Sequence, residues 1–198
     1  MDDDSVIAAA RFIKQSAPTP APAPQPVLQS YSVQKGASSR SFVRYVDLVL
    51  NNVNAATNLI SSIASSAPRI RLTNKGLSGT SNSPVSLQGF AKSNGTSVNI
   101  DFGTKGLGGS PTTSTADGSY LLEMDLDANG SYETSMRFHR LLGDVNGDKV
   151  VNSKDTSLAN SSLNKSGFNL PADTNGDGKV NATDVAYIKK AQKRKILV

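Results

Sequence analysis

The 198-residue sequence predicts a mixed fold: a β-sandwich-like domain, then a small all-α domain built around two repeated twelve-residue loops, with a disordered, Pro-rich segment ahead of both. Three observations lead there. Proline alternates through residues 17–26, apolar residues recur at period two in short runs across 31–140, and a string of oxygen donors occurs twice after residue 141. The boundaries are therefore 1–30, 31–140 and 141–198.

In the first segment, Ala17-Pro18-Thr19-Pro20-Ala21-Pro22-Ala23-Pro24-Gln25-Pro26 forbids helix, because each proline lacks an N–H and crowds the residue before it. An extended, semi-rigid linker is expected. Residues 5–14 have the spacing of a short amphipathic helix but are too few to hold one alone.

The middle segment reads as strands separated by turns. Phe42, Arg44, Val46, Leu48 and Leu50 alternate with Val43, Tyr45 and Val49, which predicts a strand buried on both faces. Strands are also expected around Ile70 and Leu72, Val85 and Leu87, Val98 to Phe102, Tyr120 to Leu126, and Tyr132 to Phe138, with Gly and Asn clusters between them. Such a series suggests an antiparallel sandwich. Residues 55–67 are the exception, since Ala56, Leu59, Ile60, Ile63 and Ala67 share one helical face.

The last segment carries the chemistry. Asp144-Val145-Asn146-Gly147-Asp148-Lys149-Val150-Val151-Asn152-Ser153-Lys154-Asp155 is answered by Asp173-Thr174-Asn175-Gly176-Asp177-Gly178-Lys179-Val180-Asn181-Ala182-Thr183-Asp184. Oxygen-bearing side chains fall at loop positions 1, 3, 5, 9 and 12 in both, the ligand spacing of a twelve-residue calcium loop. The ligands would be Asp144, Asn146, Asp148, Asn152 and Asp155 in the first, and Asp173, Asn175, Asp177, Asn181 and Asp184 in the second. Position 7 contributes a carbonyl, from Val150 and Lys179. Two Ca2+ ions are expected. Helical spacing follows each loop, weakly at Leu158, Ser161 and Ser162, more clearly at Val185, Ile188 and Lys189, and neither loop has room for an entering helix.

This arrangement resembles the type I dockerin domain, a pair of F-hand calcium repeats. Gly143 to Asp148 and Ala172 to Asn181 are similar to its two signatures, and Asp at position 12 is also typical of it. Upstream, Ser41 to Asp47, Arg69 to Thr73, and Asp117 to Tyr120 leading to Phe138–Gly143 resemble the β-rich module ahead of such repeats in large exported bacterial proteins. The resemblance implies a non-catalytic module that binds a cohesin-type protein partner through loop positions 10 and 11, here Ser153-Lys154 and Ala182-Thr183. It further implies an extracellular or cell-surface setting. The two pairs differ, which argues against docking in two orientations. Lys149 stands where position 6 usually has Gly, so the first site is expected to be weaker than the second.

Composition narrows the alternatives. There is no Cys, so disulfides and thiolate metal sites are excluded, and no apolar run is long enough for a membrane span. The acidic start, Met1-Asp2-Asp3-Asp4, is unlike a signal peptide, which suits a piece of a longer exported chain or a cytosolic protein. The net charge of +5 is dense only at Lys189, Lys190, Lys193, Arg194 and Lys195, where it suits a helix end, so no nucleic-acid partner is expected. Carbohydrate binding by 31–140 is weakly supported, with no Trp and 6% aromatics. Other readings are the tail of a polysaccharide-degrading enzyme, or a structural surface protein that calcium merely stabilises.

Three smaller features have ordinary explanations. Asp125-Leu126-Asp127-Ala128-Asn129-Gly130-Ser131 alternates oxygens, but its position 12 is Met136, so a hairpin turn is favoured over a third ion. Glu123 and Glu133, the only glutamates, read as solvated charges on that hairpin and not as a catalytic pair. His139, the only histidine, reads as packing at the junction of the two domains.

Overall fold

In a computed structural model, residues 24–110 and 112–197 are described. The helix considered at 5–14 and most of the Pro-rich segment lie outside them. Leu28–Ser30, expected to belong to the linker, instead open the first strand.

Strands β1 (Leu28–Val33), β2 (Tyr45–Leu50), β5 (Ala91–Asn94) and β6 (Ser97–Asp101) form one antiparallel sheet in the order β1-β2-β6-β5. Strands β3 (Ile70–Asn74), β4 (Ser83–Val85), β7 (Gly118–Met124) and β8 (Thr134–Arg140) form a second in the order β4-β3-β7-β8. The inward residues of both enter one core, among them Leu48, Val98 and Ile100 from the first sheet and Leu72, Leu122 and Met124 from the second. Period-two alternation drives this, because it sends every second side chain to one face. In β2 only Val46, Leu48 and Leu50 are fully buried, so the two-sided burial expected there is not found. Tyr45, Asp47 and Val49 lie half-buried on the other face.

Helix α1 (Val53–Ser61) buries Ala55, Ala56 and Leu59 against the first sheet. It starts earlier than the apolar spacing suggests because Asn52 caps it, accepting the Ala55 N–H at 3.0 Å. It stops before residue 67 because the Ser62 hydroxyl turns back to Leu59 O and receives the Arg69 N–H.

The expected fold class, a β-sandwich-like part followed by an all-α part, is corrected by this architecture. The described residues form a mixed α/β fold of two antiparallel sheets and three α-helices, and α1 belongs to the β-rich part. Nor is the C-terminal region all helix. Beside α2 (Ser153–Ser161) and α3 (Ala182–Ala191) it holds extended backbone, with antiparallel bridges Val150–Lys195 and Ser166–Lys179. The reason is geometric. The end of each twelve-residue loop must run extended to aim Val151 and Val180 into a second core, which they share with Leu141, Ile188 and Ala191, and extended backbone needs partners. Loop 1 finds them beyond α3, where Val151 N donates to Arg194 O and Ile196 N to Lys149 O. Loop 2 finds them beyond α2, where Val180 N donates to Lys165 O and Gly167 N to Gly178 O. Each repeat therefore pairs with the tail of the other.

Candidate metal centre

Each loop winds around its first aspartate. Asp144 Oδ1 accepts the N–H groups of Gly147 (2.7 Å) and Asp148 (3.1 Å), and Oδ2 accepts that of Lys149 (3.1 Å). Asp173 does the same with Gly176 (2.7 Å), Asp177 (3.2 Å) and Gly178 (2.8 Å). Such tight winding requires left-handed backbone at positions 4 and 6. Gly147 and Gly176 have φ of 77° and 74°, and Lys149 and Gly178 have φ of 71° and 82°. Lys149 thus carries a side chain in a conformation that costs about 1 kcal/mol relative to Gly.

The acids at position 12 tie each loop to its helix. Asp155 Oδ1 accepts Val145 N (2.8 Å) and its Oδ2 accepts Asn152 N (2.8 Å). Asp184 accepts Thr174 N (2.9 Å) and Asn181 N (2.9 Å) in the same way. Both complete capping boxes with the asparagine at position 9. Asn152 and Asn181 direct their Oδ1 atoms to Lys154 N and Thr183 N, which suits position 9, where calcium is often reached through water. At positions 3 and 5, Asn146 and Asp148, like Asn175 and Asp177, hold one another through short side-chain contacts.

This donor set fits a divalent cation. Asp155, Asp173 and Asp184 are buried, yet none of them forms an ion pair among the described residues. A carboxylate removed from water without a counter-charge is costly. Burial pushes the Asp173 carboxyl above its usual range; the amides of Gly178 and Gly176 oppose the rise, while Asp184 and Asp177 add to it. An ion with two positive charges and a preference for oxygen removes that conflict. Asp144 differs in having a neighbour. His139 Nε2 lies 2.8 Å from its Oδ2, so the histidine touches the first loop directly and does more than pack at a junction.

Ser153, Lys154, Ala182 and Thr183 occupy the first two positions of α2 and α3, and all four are exposed.

The connection from β7 to β8 also winds around an aspartate. Asp125 accepts the N–H groups of Ala128, Asn129 and Gly130, and Asp125, Asp127 and Glu133 bring carboxylate oxygens within 4.8 Å of one another. It is not a two-residue Asn-Gly turn, since positive φ falls on Ala128 and Gly130 instead of Asn129. Glu133, and not Met136, closes it by accepting Leu126 N. Arg69 lies 3.9 Å from Asp125 and gives this cluster a resident cation. Glu123 is paired with Arg71 at 2.8 Å.

Sequence reasoning missed a buried group between the two cores. Arg140 and Asp117 meet at 2.6 Å with side chains 1% exposed, Arg194 joins at 3.2 Å, and Leu142 N donates to Asp117 at 2.8 Å. Their wide separation along the chain left no local signal.

Two interlocked loop–helix repeats, each wound around its first aspartate, have the form of a paired cation-binding module. Residues 142–192 match the family model of the dockerin type I domain. The match spans both loops and both helices and leaves the eight strands outside it. No curated protein and no solved structure matches the chain. Dockerins are non-catalytic modules that bind calcium and attach to cohesin partners, and residues 142–192 are similar to that family. No helix among the described residues is long and apolar enough to cross a membrane.

Proposed function

We propose that residues 141–198 bind two calcium ions, one per loop, and that the ordered pair then attaches an exported protein to a cohesin-type partner. The observation that carries this reading is the burial of Asp155 and Asp184 without a counter-charge, at the one loop position that fixes each loop to its helix. The ligands are the twelve residues from Asp144 to Asp155 and Asp173 to Asp184 named above, with Asn152 and Asn181 reached through water. The partner face centres on Ser153, Lys154, Ala182 and Thr183. Capture of the intact chain on immobilised cohesin modules is expected with calcium and lost with chelator. Binding that ignores the chelator overturns the proposal.

Because Ser153-Lys154 and Ala182-Thr183 differ in size and charge, one orientation should dominate. Lys154→Glu and Thr183→Glu are expected to weaken capture unequally, by tenfold or more for one and little for the other. Equal losses would mean that both orientations operate.

The two ions should bind unequally. Winding loop 1 forces Lys149 into left-handed backbone, so Lys149→Gly is expected to tighten that site about fivefold, the equivalent of about 1 kcal/mol. Calorimetric titration reads both sites. Equal affinities in the parent chain, or no gain in the variant, would refute the asymmetry.

A further inference from the structure

We infer that the segment Ser38–Phe42 is a strap through which calcium in the two C-terminal loops stabilises the two-sheet core. The inference rests on the calcium reading above and extends it to residues outside the family match. The segment belongs to no strand; it leads from the turn at Gln34–Gly36 into β2. Even so, Ser39, Ser41 and Phe42 are buried.

It meets both loops at the same loop position. A Cβ on Gly147, position 4 of loop 1, would lie 2.1 Å from Ser38 O. A Cβ on Gly176, position 4 of loop 2, would lie 2.4 Å from the Phe42 ring. Backbone bonds fasten the first contact: Arg40 N donates to Asp144 O at 3.0 Å, Leu141 N to Arg40 O at 2.9 Å, and Gly143 N to Ser41 Oγ at 2.8 Å. The Phe42 ring also lies against Gly106, where a Cβ would come within 2.5 Å. One aromatic ring thus touches both a glycine of the β-rich part and a glycine of the second loop, and a side chain at either would displace it. Beyond it Val43 O accepts Leu107 N at 2.7 Å, and β2 carries Val46 and Leu48 into the core.

Both position-4 glycines present this close face only while their φ is positive, which is to say while the loop is wound. An ion that binds only the wound loop stabilises every contact that winding permits. The strap passes that stabilisation to β2, and β2 pairs with both β1 and β6. Linkage is reciprocal, so loss of the strap must also weaken calcium binding.

Hydrogen exchange of the intact chain with calcium and with chelator tests this, read on peptides from β2, β6 and 141–198. At free calcium about 100 times Kd, opening of β2 and β6 should fall on the order of 100-fold for each fully coupled site. In Phe42→Ala the protection should remain in 141–198 and be lost from β2 and β6, with calcium affinity reduced. If Phe42→Ala fails to fold, Ser41→Ala removes only the acceptor of Gly143 N and should lower both the protection of β2 and the affinity. Calcium that binds and protects 141–198 but leaves β2 and β6 unchanged in the parent chain overturns the strap and leaves the calcium reading standing. Absence of calorimetric binding in the parent chain overturns that reading instead.

Discussion

Chelating calcium is expected to unwind residues 141–198. Helices α2 and α3 have 9 and 10 residues, below the roughly 12–15 at which isolated helices become even marginal in water. The core beneath them is small, with Ala159, Ala172 and Ala191 among its members. Against it stands the cost of burying Asp155, Asp173 and Asp184 as anions. In such a module the binding free energy of the metal is in large part folding free energy. Chelator should therefore lower far-ultraviolet helical signal and open sites near Lys154 and Lys165 to trypsin. Asp184→Ala should do the same to the second repeat even with calcium present, because it removes both a ligand and half of the capping box. Circular dichroism and digestion patterns that do not respond to chelator would rule out the structural role of the ion.

Replacing Asp117 by Ala should be the most damaging single change outside the loops. The carboxylate lies between Arg140, whose side chain is 1% exposed, and Arg194, which is 30% exposed. Burial pushes the Asp117 carboxyl up and the Arg140 guanidinium down, and each is pulled back by the other's charge. Removing the acid leaves Arg140 buried without that carboxylate, beside carbonyls such as Thr113 O. Breaking a buried pair in this way costs on the order of 3–5 kcal/mol, or roughly 10 °C in Tm for a chain of this size. It also releases Leu142 N, at the start of the calcium repeats. Arg194→Ala should cost much less, because that side chain reaches solvent. Replacing Asp117 and Arg140 together by apolar residues of similar size should be milder than Asp117→Ala alone. Urea unfolding measures all three; a loss below about 1 kcal/mol for Asp117→Ala would show that water reaches Arg140 and that the pair is not truly buried.

Local patterns were the legible part. The oxygen spacing, position 12 and the exceptional Lys149 could all be read from residues within twelve of one another. Capping boxes at Asn152–Asp155 and Asn181–Asp184 follow from the same spacing. Strand positions at Ile70–Leu72, Val98–Phe102 and Tyr120–Leu126 were visible through alternation. Strand β5 was not, since Ala91-Lys92-Ser93-Asn94 carries no apolar alternation and is a strand only because β6 pairs with it. The β7–β8 connection was misread in detail, because Asn129-Gly130 resembles a tight turn while Glu133 reaches back to close a longer one.

By itself the sequence determined where the two repeated oxygen-donor loops lie and which short elements surround them, because twelve-residue loops, caps and alternation are set by neighbours along the chain. Only the tertiary structure decided that loop 1 pairs with the tail of repeat 2 and loop 2 with the tail of repeat 1. It likewise decided that Phe42 sits between Gly106 and Gly176, and that Asp117 meets Arg140 and Arg194. Those contacts join residues far apart in sequence, and their energies come from burial and close approach, which leave no periodic trace. Composition changes at residue 141, while hydrogen bonds such as Arg40 N to Asp144 O run across that point.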